Sequence, residues 1–337
     1  MLSESFPKDS VALVTGATGY TGRVLVRKLV SLGVEVRVIA RQSSKRGDLE
    51  ALPVAWFVGD VFDPAVVAEA VKGVNYVFHV AAAFREAKIA DETYRKVHVD
   101  STRLLAEAAV KEQDFRRFVH VSTVGVHGHI DEPPADENYR FAPGDIYQET
   151  KAEAEQWIRD FAKSHSLPLA VVRPAAIYGP EDKRLLKLFK MSIKPVFPLF
   201  GKSKGYYHLI HVDDLTDIFI TTALHKNAEG EVFIAGNPEP TKLLDIAKNI
   251  AGGLNSGLPI FLRLPVWPLF VIAAICETLC KPFGIEPPIY KRRVAFFTKD
   301  RSFNTSKLQH VLQYQYTHSV EAGLVSTAKW YKEAGWL

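Results

Sequence analysis

The chain is poor in sulfur: of its 337 residues only two are cysteine and two methionine. Cys276 and Cys280 stand four apart in an apolar run, with no other cysteine anywhere. That excludes a four-ligand structural zinc site and a disulfide framework, and both residues read as packed thiols of a reducing compartment. An excess of one charge is lacking as well. The 42 basic and 38 acidic residues leave +4 with no dense Lys/Arg block, so nucleic acid is not expected as a partner. The longest uncharged apolar stretch, Leu264 to Cys276, is interrupted by Pro265 and Pro268 and is short of the ~18 to 20 residues needed to cross a bilayer. Peripheral contact with a membrane surface is left open. The opening MLSESFPKDS has no basic segment followed by an apolar one, so no secretory signal is expected and the cytoplasm is the expected location.

What is present is an ordinary globular composition, 47% hydrophobic and 24% charged, which rules out a disordered or coiled-coil chain. Short β-rich runs at Val11–Thr15, Val34–Ala40, Val54–Val58, Tyr76–Val80, Phe118–Val121 and Leu169–Val172 are mostly separated by segments of helical spacing. Such alternation predicts an α/β fold with a doubly wound parallel sheet covered on both faces, of the Rossmann type. After Arg173 the texture changes to mixed basic and apolar residues, yet His208–Val212 and Val232–Ala235 still read as strands. The expected organisation is a dinucleotide-binding domain over 1–177, its sheet rejoined by about 206–237. A smaller, mostly helical substrate-binding region spans 178–205 and 238–337.

The first strand runs into Thr15-Gly16-Ala17-Thr18-Gly19-Tyr20-Thr21-Gly22, and helical spacing follows at once. Glycines at this G-x-x-G-x-x-G spacing let the backbone turn sharply and approach a pyrophosphate held by free N–H groups and the helix dipole. Gly16, Thr18, Gly19, Tyr20 and Gly22 are thus candidate cofactor contacts. After the second strand, where an acidic residue would accept from an NAD ribose, the chain has Arg41, followed by Ser43, Ser44, Lys45 and Arg46. Positive charge and hydroxyls there suit a 2′-phosphate, so NADP(H) is favoured and NAD(H) kept open.

Tyr147 and Lys151 are four apart on a predicted helix and share one face. With 12 tyrosines in the chain the spacing alone decides nothing. Position does, because the pair opens the helix after the strand that ends in Ser122-Thr123, at the sheet edge where ligands of such folds bind. A phenol whose pKa is lowered from about 10 towards neutrality by a nearby ammonium is a serviceable acid/base.

Taken together, TGATGYTG, Thr123 after the fifth strand, YQETK and RPAAIYGP resemble the extended short-chain dehydrogenase/reductase superfamily, the NAD-dependent epimerase/dehydratase superfamily. The resemblance implies that Tyr147 is the general acid/base, that Lys151 binds the nicotinamide ribose and lowers the tyrosine pKa, and that Thr123 holds the substrate oxygen. It also implies that Asp60 and Val61 sit near adenine, that Ala81 and Ala82 line the cofactor channel, and that Pro174 packs by the nicotinamide. Two positions depart from the pattern: His98 stands where the family has an asparagine in V-N-V, and His127 where it has a tyrosine before Gly128. Both are expected to be satisfied structural histidines.

The stretch from Ile275 to Leu308 and the ending AKWYKEAGWL resemble the 3β-hydroxysteroid dehydrogenase-like branch. That branch implies interconversion of a secondary alcohol and a ketone on a lipophilic substrate. Apolar residues of Leu185–Phe200 and of Leu264–Cys276 are expected to wall its cleft. The interleaved Lys183, Arg184, Lys187, Lys190 and Lys194 are expected to meet a substrate anion or form a solvated face. The alternative is a sugar-nucleotide epimerase or dehydratase with retained NAD, and by resemblance two helices beside the site leave a homodimer open.

Overall fold

The computed structural model describes residues 4–83, 90–200, 206–280, 287, 294 and 301–337. The resemblance after Cys280 falls largely outside these residues.

The chain opens with β1 (Val11–Thr15), α1 (Tyr20–Ser31), β2 (Glu35–Ala40), β3 (Val54–Val58), α2 (Pro64–Val71) and β4 (Tyr76–His79). It continues through α3 (Asp91–Arg95), a π-helical turn, α4 (Ser101–Ala109), β5 (Arg117–Val121), α5 (Ile146–His165), β6 (Leu169–Pro174) and β7 (Ala176–Tyr178). Next come α6 (Leu186–Ser192), β8 (Val196–Phe200), β9 (Tyr206–Tyr207), β10 (Leu209–His211), α7 (Val212–Leu224), β11 (Val232–Ala235), β12 (Thr241–Lys242), α8 (Leu243–Gly253), β13 (Ile260–Leu264) and α9 (Trp267–Cys280). Two helices near the C-terminus follow, α10 (Ser306–Leu312) and α11 (Val320–Glu333).

Seven strands form one parallel sheet in the order β11-β6-β5-β4-β1-β2-β3. The order reverses between β1 and β4, the switch point at which such sheets open a crevice at their carboxyl ends. Successive strand residues point to opposite faces, and both faces are covered. Val14, Val36, Phe78, Val119 and Val172 pack with Leu25 and Leu29 of α1, Ile218 and Phe219 of α7 and Leu308 of α10. Leu13, Val77, Phe118 and Val171 pack with Val67 of α2, Leu105 of α4 and Ile158 of α5.

The expected return to the sheet is made by β11 alone. The other predicted strand, observed as β10, pairs instead with β7 in a separate two-stranded ladder. A further core joins Tyr178, Phe189, Phe197, Ile246, Ile250, Leu324 and Tyr331, drawn from β7, α6, β8, α8 and α11.

Candidate active site

The glycine turn is built by local chemistry. Gly16 has φ +70, a left-handed backbone that glycine adopts without penalty, and a Cβ there would stand 2.8 Å from the Ala81 Cα. Gly22 is confined likewise, since a Cβ on it would collide with the Gly16 carbonyl. Gly19 precedes α1, whose start has no capping side chain and no acidic residue in the first turn. The first-turn N–H groups and the helix dipole therefore suit a pyrophosphate, and the residues present fit a dinucleotide. The Thr18 carbonyl accepts from Arg23 Nη2 at 3.4 Å. The Tyr20 ring lies 5.0 Å from the Arg184 guanidinium, and its hydroxyl is buried without a hydrogen-bond partner among the described residues.

Below the turn, Thr15 Oγ1 accepts from the Ala81 N–H at 3.2 Å and lies 2.8 Å from His79 Nδ1. His79 Nε2 lies 3.2 Å from Ser101 Oγ, whose own proton goes to the Val97 carbonyl at 2.6 Å. The serine must then accept, so His79 carries its proton on Nε2 and takes the threonine proton at Nδ1. This buried line fixes the ends of β1 and β4 relative to α4.

Helix α5 begins at Asp145, whose carboxylate accepts from the Gln148 N–H at 2.8 Å, and so places Tyr147 and Lys151 on its first turns. Lys151 is buried, and its Nζ donates to the Val121 carbonyl at 2.9 Å and the Ala81 carbonyl at 3.5 Å. Burial pulls its ammonium down to about 8, with the Glu155 charge acting the other way. Tyr147 is half-buried on the same face. Thr123 follows β5, and its Oγ1 accepts from the Gly125 N–H at 3.0 Å, which leaves its own proton to be donated. Thr123 thus stands two residues beyond the carbonyl that holds Lys151 at the end of β5, with Tyr147 one helical turn before the lysine, and the glycine turn closes on Ala81. Among the other candidates, Pro174 is buried in β6 opposite Ala235, Ala82 is exposed, and Asp60 and Val61 follow β3, with Val61 packing against the core.

The two departing histidines are both satisfied. Arg173 Nη1 donates to His127 Nε2 at 3.2 Å, so Nδ1 carries the proton and donates to the Arg140 carbonyl, also at 3.2 Å. His98 has partners on both nitrogens, one of them Thr150. Thr150 was not singled out from the sequence; its signal is its place three residues after Tyr147, on the buried side of the helix.

A model of the NAD dependent epimerase/dehydratase family matches residues 12–236. The 2-alkyl-3-oxoalkanoate reductase of Shewanella oneidensis is 27% identical over 94% of this chain and 85% of its own. The UDP-glucose 4-epimerase of Vibrio cholerae is 26% identical over 76% of this chain and 79% of its own. Among solved structures, the dTDP-glucose 4,6-dehydratase DesIV of Streptomyces venezuelae, with NAD and TYD bound, superposes with a TM-score of 0.75 at 21% identity, covering 97% of this chain and 98% of that one.

Three expectations are corrected. The preference for NADP is corrected by the solved structures of similar fold: DesIV, the UDP-glucuronic acid 4-epimerase of Bacillus cereus and the dTDP-glucose 4,6-dehydratase of Bacillus anthracis each hold NAD. Arg41 is exposed, and the basic loop after it is engaged in local structure: Arg23 donates to the Lys45 and Arg46 carbonyls, and Arg46 lies 4.5 Å over Trp56. The lipophilic substrate and the peripheral membrane contact are corrected too. Sugar-nucleotide enzymes recur among the relatives and the solved structures of this fold. The apolar residues expected to wall a cleft divide: Leu185, Leu186, Phe189, Met191, Ile193, Phe197 and Leu199 pack into the second region's own core, whereas Val196 and, in Leu264–Cys276, Trp267, Val271, Ile272 and Ile275 are exposed. No helix among the described residues is long and apolar enough to cross a membrane. The comparisons carry the match to the family and do not single out a 3β-hydroxysteroid dehydrogenase-like branch: the 3beta-hydroxysteroid-dehydrogenase/decarboxylase isoform 1 of Arabidopsis thaliana, 25% identical over 97% of this chain and 81% of its own, stands among the relatives beside the sugar-nucleotide enzymes.

Proposed function

The chain belongs to the NAD dependent epimerase/dehydratase family, and from that premise we propose that it is a sugar-nucleotide epimerase or dehydratase that retains its NAD through the cycle. Its chemistry is that of an NAD-dependent oxidoreductase acting on a CH–OH group. The observation that carries the reading is the anchoring of Lys151, one helical turn after Tyr147, on the carbonyls of Val121, two residues before Thr123, and of Ala81, on which the glycine turn closes. Relatives whose names specify sugar nucleotides align over most of the same chain.

In this reading Tyr147 takes the proton of the sugar hydroxyl as its carbon is oxidised and returns it when the carbonyl is reduced. Thr123 donates its free proton to the same oxygen and favours the geometry in which that oxygen bears charge. Lys151, held by two backbone carbonyls, places a positive charge on the tyrosine's helical face and so favours the phenolate. NAD, when bound, supplies the acceptor for the hydride leaving the carbinol carbon. Because that hydride is returned, the cycle has no net redox change.

The test incubates the NAD-loaded enzyme with UDP-glucose and with dTDP-glucose, following products by NMR and NADH by absorbance. Conversion of the sugar without accumulation of NADH is expected. Stoichiometric consumption of added NADH by a simple ketone, with no turnover of either sugar nucleotide, would overturn the reading.

A further inference from the structure

His98 is completely buried, and both of its ring nitrogens are engaged. The backbone N–H of Ala83 donates to Nε2 at 3.0 Å, which leaves the ring proton on Nδ1. Nδ1 donates to Thr150 Oγ1 at 2.8 Å, and the threonine hydroxyl passes its own proton to the Ile146 carbonyl at 2.7 Å. The two anchors are far apart in sequence but both adjoin the site. Ala83 lies two residues beyond Ala81, whose carbonyl accepts from Lys151, and Thr150 lies between Tyr147 and Lys151 on α5. The His98 ring also packs against that of Tyr147, with centroids 5.4 Å apart and planes at 84°. Burial and then the Lys151 charge hold the imidazole down at about 2, so it stays neutral at working pH. With neither nitrogen free, His98 is no acid or base itself.

The geometry points to His98 as a positioning residue for Tyr147: it ties the first turns of α5 to the backbone after β4 through both ring nitrogens, and its ring closes on that of the tyrosine. The inference rests on Tyr147 as the acid/base and deepens that reading. Proton transfer needs the phenol within hydrogen-bond reach of the substrate oxygen, and a displacement of ~1 Å costs up to about a hundredfold in rate. The bond to Thr150, in the same helical turn as the phenol, and the bond from Ala83, in the backbone after β4, together restrain that displacement.

Three variants separate the contributions. His98→Phe keeps an aromatic ring beside Tyr147 and can make neither bond. His98→Asn puts an amide donor near the place of Nδ1 and can remake the bond to Thr150. Thr150→Val keeps the side-chain volume and removes the same bond from its other end, so the test does not depend on one variant folding. The expected result with the sugar nucleotide that the parent turns over is a loss of about tenfold or more in kcat for His98→Phe and Thr150→Val. KM and the NAD dissociation constant stay within about threefold, and His98→Asn recovers most of the loss.

A readout independent of substrate is the ¹³Cζ tyrosine NMR signal of Tyr147 in the NAD-saturated enzyme, identified by its absence in Tyr147→Phe. Its titration midpoint is expected to move in His98→Phe and to return towards the parent's in His98→Asn. An unmoved Tyr147 signal would overturn the inference. So would a kcat loss matched by NAD affinity and thermal stability and not recovered by asparagine. Failure of the substrate reading is distinct: the parent then converts no sugar nucleotide, and the Tyr147 signal still decides the role of His98.

Discussion

Arg173 and Glu155 form an ion pair with both side chains fully buried, the guanidinium Nε donating to Oε2 at 3.0 Å. The pair joins β6 to α5. The remaining donors of Arg173 reach the Glu137 carbonyl at 2.8 Å and His127 Nε2 at 3.2 Å. One guanidinium therefore anchors the helix that carries Tyr147 and the segment that connects Thr123 to it.

Removing one partner strands the other's charge in the interior. Glu155→Leu is expected to cost about 3 to 5 kcal/mol, measured from urea unfolding midpoints. The double variant Glu155→Leu/Arg173→Leu should recover part of that loss. A single variant as stable as the parent would show that the pair contributes nothing.

Tyr147→Phe removes the transferable proton and little else. Turnover should fall by orders of magnitude while NAD binding, followed by quenching of protein fluorescence, changes less than about threefold. Activity within tenfold of the parent would remove Tyr147 from the acid/base role.

Cofactor choice is tested at Arg41. NAD should bind more tightly than NADP, and Arg41→Ala should alter NAD affinity by less than about threefold, in keeping with an exposed side chain. A large loss specific to NADP, in a parent that prefers NADP, would return this residue to a 2′-phosphate.

Lys187 and Lys190 are exposed on α6, and on the proposed reading they are the cations to test against a sugar nucleotide's diphosphate. Changing both to Ala should raise KM about tenfold or more while kcat moves little. Equal KM values in parent and variant would leave these lysines as a solvated helix face.

Stability should depend on pH through Asp214 and His318. Burial pushes the Asp214 carboxyl up, but donors from His318, Thr317 and Tyr314 outweigh it and hold the group at about 2. The bond to Asp214 raises the His318 pKa above its ordinary value, against the opposing effect of burial. A raised histidine contributes stability that is full below about 6.5 and lost as pH climbs through its folded value. A depressed aspartate contributes stability present above about 3.9 and lost as pH falls towards 2. The Tm should therefore decline as pH rises above about 6.5, and His318→Gln should flatten that limb while leaving most of the acid limb. Parallel alkaline limbs in the two proteins would exclude His318 as their source.

The elements whose cause is local were legible in the sequence. The β1 bounds follow from Val11–Thr15 as an apolar run, and α1 follows directly from the glycine turn, because turn chemistry and helical period are properties of adjacent residues. The places of Thr123, Tyr147 and Lys151 were legible for the same reason, after a strand or on a helix face, while their chemical roles belong to the proposed function. Tertiary structure decided the rest. Leu185–Phe200 carries the same apolar pattern whether it walls a cleft or fills a core, and packing against α8 and α11 makes core of Phe189 and Phe197 while Val196 is left exposed. The strand β10 reads like any sheet strand, yet its partner is β7. His98 is an isolated histidine in the sequence, and only the approach of Ala83 and Thr150 sets its tautomer and brings it against Tyr147. Periodicity assigns a side chain to a face, but its partner there comes from chain that the local sequence does not contain, so burial, protonation and contact are settled when the layers close.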